Sequence, residues 1–231
     1  MKNVLTIENL CSGYKDMIVL FDINISINEG EIVFLVGKNG AGKTTLLKTI
    51  AGFIRPKTGK IVFQGKDITY TSPLERSRMG ISMAFQEKRI FPSLTVRDNI
   101  HVVSRACGLN EDEALSKALT LFPELEILLD RRADTLSGGQ RQMLALSMAM
   151  LCNPKLLLLD EPVEGLSGKV ASRIMDVIRK NRGTRISVLI AEQNVPLVVD
   201  LADRVYIIKE GKIVKILEHP TITYEDVIKH V

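Results

Sequence analysis

The chain has no tryptophan, 5% aromatic residues, three histidines and three cysteines among 231 residues. Each scarcity removes a class of function. With so few aromatics there is no ladder of stacking side chains beside a basic stretch. The 31 Lys and Arg against 27 Asp and Glu are scattered, so the net charge of +4 reads as a solvated surface, with no nucleic-acid partner expected. Cys11, Cys107 and Cys152 match neither CxxC nor zinc spacing. An odd count without a secretory leader predicts reduced, buried thiols in a cytosolic protein. The opening MKNVLTIENL brings acidic and polar residues too early for the apolar core of a leader. No apolar run approaches the ~18–20 residues needed to span a bilayer. The densest runs, 156–159 and 187–191, have the length of buried strands, so the chain is not expected to cross a membrane by itself.

What is present is an ordinary globular balance, 45% hydrophobic and 25% charged, in a length that suits one or two domains of about 100–200 residues. Short apolar runs alternate with helical patterns, which predicts an α/β protein around a central sheet. Residues 4–10, 23–27 and 61–63 lie near glycine-containing turns and read as strands of a partly antiparallel sheet. Residues 32–36, 156–159 and 188–191 are continuous apolar runs, the pattern of strands buried on both faces. Residues 168–181 carry Val170, Ile174, Val177 and Ile178 on one face and predict an amphipathic helix lying on the sheet. Residues 205–208, Glu210-Gly211 and 213–217 predict a terminal hairpin. Between about 95 and 150 the pattern is helical, clearest at 111–122 and 140–150. It reads as a helical subdomain, about 87–150, inserted into a core formed by 1–86 and 151–218, with a tail at 219–231.

One apolar run leads straight into a glycine loop. Residues 32–36 precede Gly37-Lys38-Asn39-Gly40-Ala41-Gly42-Lys43-Thr44, a GxxxxGK[ST] motif expected with Thr45 to bind the nucleotide, and the apolar-periodic Leu46–Ile50 follows. The glycines let backbone N–H groups converge on a phosphate without Cβ obstruction, and the helix N-terminus adds its partial positive charge. In that arrangement Lys43 reaches the β- and γ-phosphates of a nucleotide, and the Thr44 hydroxyl ligates Mg²⁺. Downstream, 156–159 ends in Asp160-Glu161, so carboxylates arrive at the edge of a strand. Asp160 is expected in the magnesium shell and Glu161 to polarise the attacking water.

Leu136-Ser137-Gly138-Gly139-Gln140 lies between the loop and that strand and opens a helix. Two glycines free the backbone amides and Ser137 adds a hydroxyl donor, making a second anion site at a helix N-terminus. Two phosphate-binding helix ends in one chain suggest a sandwich dimer, in which each ATP is gripped by the loop of one protomer and the LSGGQ segment of the other. On these motifs the sequence resembles ABC ATPases over roughly residues 4–217. The resemblance implies a P-loop core with an antiparallel β subdomain and a helical insertion, ATP and Mg²⁺ as ligands, and ATP hydrolysis. It also implies transmembrane permease subunits and a second ATPase subunit as partners, a solute-binding protein in the complete system, and a place on the cytoplasmic face of the cell membrane. By position it implies that Tyr14 stacks on adenine, that Gln86 links metal and nucleotide to the helical subdomain, and that residues 88–94 face the permease.

Within that family the chain looks most like ATPase subunits of importers for branched-chain amino acids, or for urea and short amides. The resemblance rests on residues 89–96, on Glu161-Pro162-Val163-Glu164-Gly165-Leu166 and on Ala191-Glu192-Gln193-Asn194. Two positions depart from the family pattern. Gln193 stands where most relatives carry a histidine that senses the γ-phosphate; its amide can donate a hydrogen bond but cannot become cationic. Ser167 stands where a loop that couples the two nucleotide sites usually ends in aspartate. Two other readings stay open on the residues alone. A non-transport ATPase acting on DNA or ribosomes is one, although the interval from Lys43 to Leu136 leaves no room for a long coiled-coil insertion. A scaffold that binds ATP without turnover is the other.

Overall fold

The computed structural model describes residues 2–84 and 90–231. The chain begins with two long strands, β1 (Asn3–Tyr14) and β2 (Met17–Asn28), joined by a tight turn. They alternate buried and exposed positions because only one face of their sheet is covered. With β4 (Thr58–Phe63) and β5 (Lys66–Asp67) they form a four-stranded sheet in the order β2-β1-β4-β5, with antiparallel pairing throughout. The strand runs expected at 4–10 and 23–27 prove to be parts of longer strands, the first extending onward to Tyr14 and the second beginning at Met17. The added part of β2 is apolar but largely exposed at Met17, Ile18 and Phe21, so its side chains do not alternate cleanly between a buried and a solvent face.

The second sheet holds six strands in the order β10-β9-β3-β8-β7-β6. Its members are β3 (Ile32–Val36), β6 (Ile81–Ala84), β7 (Leu156–Asp160), β8 (Ser187–Glu192), β9 (Arg204–Lys209) and β10 (Lys212–Glu218). β3 pairs in parallel with β8 on one side and β9 on the other, β7 pairs in parallel with β8, and β10 closes the edge antiparallel to β9. Every residue of β3, β7 and β8 is buried, as the unbroken apolar runs predict for strands covered on both faces.

Helices α1 (Lys43–Ile50) and α2 (Pro73–Met79) follow β3 and β5. The short α7 (Val195–Leu201) follows β8, and α8 (Tyr224–Ile228) ends the chain with Val227 buried. By contacts the chain divides into two compact units. The α/β unit comprises residues 1–83, 155–161 and 181–231; the helical unit comprises 84–154 and 162–180. The sequence reading groups 151–218 with the core, whereas by contacts 162–180 go with the helices.

The helical unit contains α3 (Val96–Cys107), α4 (Glu111–Leu121), α5 (Gly138–Leu151) and α6 (Gly168–Arg179), with 3₁₀ turns at Pro123–Leu128 and Ala133–Thr135. Helices α3 and α4 start on side-chain caps: the Thr95 hydroxyl accepts from Asp98 N, and Asn110 accepts from Asp112 N. The helix expected at 168–181 forms over Gly168–Arg179, and its neighbours within the helical unit are other helical segments. Val170 on α6 sits against Gly139 of α5, Arg173 donates to Glu124 Oε1 at 2.9 Å and to the Leu121 carbonyl at 2.7 Å, and its guanidinium lies 5.5 Å from the Phe122 ring centroid. An apolar stripe read from sequence says that a face is buried, not against what.

The expectation of reduced thiols needs correcting. Cys107 and Cys152 are paired as a disulfide, with Cα atoms 5.3 Å apart. Their separation of 45 residues hides the fact that α3 and α5 bring their C-terminal ends together. Cys11 is the free thiol; it is half-buried and accepts a long hydrogen bond, 3.5 Å, from the Asp22 N–H.

Candidate active site

The glycine loop sits at the C-terminal end of β3, in the middle of the parallel sheet, where an open α/β sheet presents ligands. Two glycines are required by geometry. A Cβ on Gly37 would lie 2.4 Å from the Ile208 carbonyl, so only hydrogen fits against β9. Gly42 caps α1 with φ 110°, a backbone that L side chains rarely adopt, and a Cβ there would meet Leu20 Cδ2 at 2.8 Å. The loop is anchored from outside as well: the Gly211 N–H donates to the Ala41 carbonyl at 2.9 Å. Lys38, Asn39 and Gly40 are exposed at its tip, and Thr45 is buried under the helix.

Lys43, the first residue of α1, is 5% exposed. Its ammonium donates to the Gly37 carbonyl at 2.7 Å and the Lys38 carbonyl at 3.3 Å, and it lies 3.3 Å from Glu161 Oε1. A buried charge must be paired or heavily hydrogen-bonded, and this one is both. The Thr44 hydroxyl donates to Asp160 Oδ1 at 3.1 Å. A hydroxyl and a carboxylate side by side are the hard oxygen donors that Mg²⁺ accepts, and that ion takes one or two protein oxygens beside waters and phosphates. The residues present therefore fit the metal.

Asp160 closes β7 and is 2% exposed. Glu161, immediately past the strand, holds a left-handed backbone, φ 47°, while its N–H donates to the Ala191 carbonyl at 3.0 Å. A non-glycine residue there costs about 1–3 kcal/mol and persists only when its surroundings over-determine it. Gln193 is exposed just past β8, whose last residue, Glu192, stands opposite Val36 in the sheet register. Tyr14, at the end of β1, is 43% exposed. The α/β unit thus gathers the loop, Lys43, Thr44, Asp160 and Glu161 into one cluster, with Gln193 exposed just past the end of the neighbouring strand β8. Gln86 and residues 88–89 lie outside the described residues.

Ser137-Gly138-Gly139-Gln140 belongs to the helical unit, at the start of α5. Ser137 Oγ accepts from Gln140 N at 3.3 Å and Gln140 Oε1 accepts from Ser137 N at 2.9 Å, a reciprocal capping box. The Gln140 side chain is therefore folded back into its own cap, while the Ser137 hydroxyl proton stays free to donate outward. Gly139 is set by packing: a Cβ there would lie 2.7 Å from Val170 Cγ1. Gly139→Ala is expected to destabilise the chain by about 1–3 kcal/mol through overpacking, more than the ~1 kcal/mol that alanine gains in helix propensity. In a Val170→Ala background the same change should become neutral or stabilising. Urea unfolding of the four proteins measures this directly, and an equal loss in both backgrounds would rule the clash out.

Two buried supporting residues fall outside the site expected from sequence. Glu192 is 3% exposed, and its Oε1 accepts from Gln193 N at 2.9 Å and Asn194 N at 3.1 Å, holding the turn on which Gln193 stands. Asn99 is fully buried; its Oδ1 accepts from Phe91 N at 2.7 Å, and its amide donates to the Phe91 and Thr95 carbonyls at 3.0 and 2.8 Å. A single acidic residue ending an apolar run, or an asparagine inside a helical one, is indistinguishable in sequence from surface polarity. Among the described residues no helix is long and apolar enough to cross a membrane.

Known proteins share this arrangement. A profile of the ABC transporter family matches residues 20–164. The probable branched-chain amino acid transport ATP-binding protein LivF of Archaeoglobus fulgidus is 37% identical over 218 residues, covering 91% of this chain and 92% of its own. The lipopolysaccharide export system ATP-binding protein LptB of Haemophilus influenzae is 38% identical over 215 residues, covering 92% of this chain and 89% of its own. Among solved structures, the ADP conformation of MJ1267, an ATP-binding cassette of an ABC transporter, superposes with a TM-score of 0.86 at 27% identity, over 99% of this chain and 96% of that one. These relatives match over about nine-tenths of both chains, and with the phosphate loop at the C-terminal end of β3 they lead to one conclusion: the chain belongs to the ABC transporter family, as an ATP-binding domain of the ABC ATPase type.

Proposed function

We propose that this chain is the ATP-hydrolysing subunit of an ABC importer, that the importer carries branched-chain amino acids, and that it works against permease subunits at the cytoplasmic face of the membrane. The observation that carries the ATPase reading is the paired geometry at the loop: Lys43 against Glu161 at 3.3 Å and Thr44 against Asp160 at 3.1 Å. The substrate class rests on likeness to LivF and on the Glu192-Gln193-Asn194 ending of β8. LptB, an export-system subunit at 38% identity against 37% for LivF, supports the competing reading of a lipopolysaccharide exporter, and a urea or short-amide importer is another alternative.

In the mechanism, the amides of Gly37–Lys43 and the α1 N-terminus receive the phosphates, and Tyr14 lies against the base. Lys43 exchanges its loop carbonyls and Glu161 for phosphate oxygens. Glu161, released from the lysine, orients and polarises the attacking water. Thr44, Asp160 and Gln86 would hold Mg²⁺, which supplies charge neutralisation across the β- and γ-phosphates. Gln193 donates an amide hydrogen bond towards the γ-phosphate without carrying charge. Ser137 and the amides of Gly138, Gly139 and Gln140 close the site from a second ATPase subunit, a copy of this chain or a paralogue bearing histidine at the position of Gln193. Closure and reopening of that dimer reorient the permease.

The testing experiment is ATP hydrolysis by this subunit with its membrane partners in liposomes. The matching solute-binding protein is loaded with leucine in one arm and urea in another. Stimulation by leucine supports the proposal, stimulation by urea alone replaces the substrate, and basal turnover unmoved by either discards the importer. In the same assay Gln193→Ala should lower turnover about tenfold, the size of one transition-state hydrogen bond of ~1.4 kcal/mol. Unchanged turnover would remove Gln193 from the mechanism.

A further inference from the structure

Among the described residues the most deeply buried cation is not in the phosphate loop. Arg76, on α2, is 1% exposed, and burial alone pulls its pKa down to about 10. A guanidinium that far from water is ordinarily paired with a carboxylate. Here every recorded hydrogen-bond partner is an uncharged oxygen. Nη1 donates to the Thr49 and Ile50 carbonyls at 2.7 and 2.8 Å, Nη2 to the Ile68 and Thr69 carbonyls at 2.6 and 2.9 Å, and Nε to the Thr71 hydroxyl at 3.1 Å.

Thr49 and Ile50 are the last residues of α1. Carbonyls at the C-terminal end of a helix have no partner inside it and carry the negative end of its dipole, so a cation belongs there on both counts. The other pair of carbonyls belongs to the turn after β5. Arg76 therefore ties the tail of α1 to the antiparallel sheet. Its own position is set by the neat start of α2, where Ser72 and Glu75 form a capping box behind Pro73. Room for the guanidinium comes from Gly52, where a Cβ would stand 3.1 Å from Arg76 Cδ and Nε.

The head of the same helix carries Lys43 and Thr44. α1 has 8 residues, and a helix of that length is about 12 Å of stiff rod, so a shift at Ile50 reaches Lys43 with little loss. We propose that Arg76 is a positioning residue for the nucleotide: by clamping the C-terminal end of α1 it sets how far Lys43 and Thr44 reach towards the phosphates. The inference rests on the phosphate loop being the nucleotide site. It adds that the antiparallel sheet governs that site through one buried arginine.

The test uses the full chain and a fluorescent nucleotide, MANT-ATP with Mg²⁺, at a temperature where each variant is fully folded. Arg76→Lys keeps the charge but cannot span four carbonyls. MANT-ATP affinity is expected to fall about tenfold or more, within the ~10²-fold that a 1 Å misplacement can cost a site. Val227→Ala, a cavity variant in the C-terminal tail, serves as a control for lost stability and should bind MANT-ATP as the wild type does. An Arg76→Lys protein with lowered Tm but wild-type affinity would overturn the proposal and leave Arg76 a purely structural residue. Should that variant not fold, Thr71→Val replaces it. Loss of its single acceptor should weaken affinity about twofold or more, and no change would overturn the proposal equally. Failure of the wild type itself to bind MANT-ATP is a different result, which sinks the nucleotide reading and this inference together.

Discussion

Glu161→Gln should leave a protein that binds ATP and scarcely hydrolyses it. Removing a positioned general base lowers turnover by about 10²–10⁴-fold. Binding should not suffer, and the geometry gives a reason for it to improve. Glu161 lies 3.3 Å from the Lys43 ammonium inside a buried pair, so phosphate must compete with a carboxylate for that lysine. Glutamine keeps the shape and removes the competing charge. Measurement of phosphate release and MANT-ATP affinity on the same preparation separates the two effects. Turnover within threefold of wild type in the assembled transporter would assign the base elsewhere and revive the reading of an ATP-binding scaffold.

Lys43→Met is expected to be worse in a different way. It removes the cation that faces the developing charge, for which single-donor losses run to about 10²–10³-fold in rate. It also removes the cation from the buried pair with Glu161, and breaking one partner out of a buried pair costs about 3–5 kcal/mol. The two losses can be told apart. Adding Glu161→Gln to Lys43→Met should restore much of the stability, because an uncharged side chain no longer demands a partner, while restoring none of the activity. Chemical denaturation of the wild type, both single variants and the double variant gives the coupling energy. A double variant no more stable than Lys43→Met would mean that the pair contributes nothing to the resting fold.

Both predictions concern residues that are legible without a structure. A strand of five apolar residues, a glycine loop with Lys43 and Thr44, and a second strand ending in two carboxylates leave little freedom, because each spacing is dictated by the size of a phosphate and the period of a strand. The same holds for the start of α5, where Ser137 and Gln140 are a capping box readable from their spacing alone. The departure at Gln193 is legible too, since it is a matter of residue type at a strand end.

What sequence could not supply are contacts between segments far apart in the chain. That Glu161 rests on Lys43 follows from β7 and β3 flanking β8, a strand order set by crossovers rather than by any local pattern. Helix α6 announces an apolar face, yet its meeting with Gly139 depends on how two helices cross. Cys107 and Cys152 look unrelated because only the convergence of α3 and α5 brings them together. Arg76 reads as one more surface charge in a run of basic and polar residues until burial exposes its four carbonyls. The sequence by itself determined the chemistry of the site, because phosphate, magnesium and water admit few donor types. Only the tertiary structure decided what holds that chemistry in place, because the supporting bonds run to backbone carbonyls, which every residue carries and no residue type reveals.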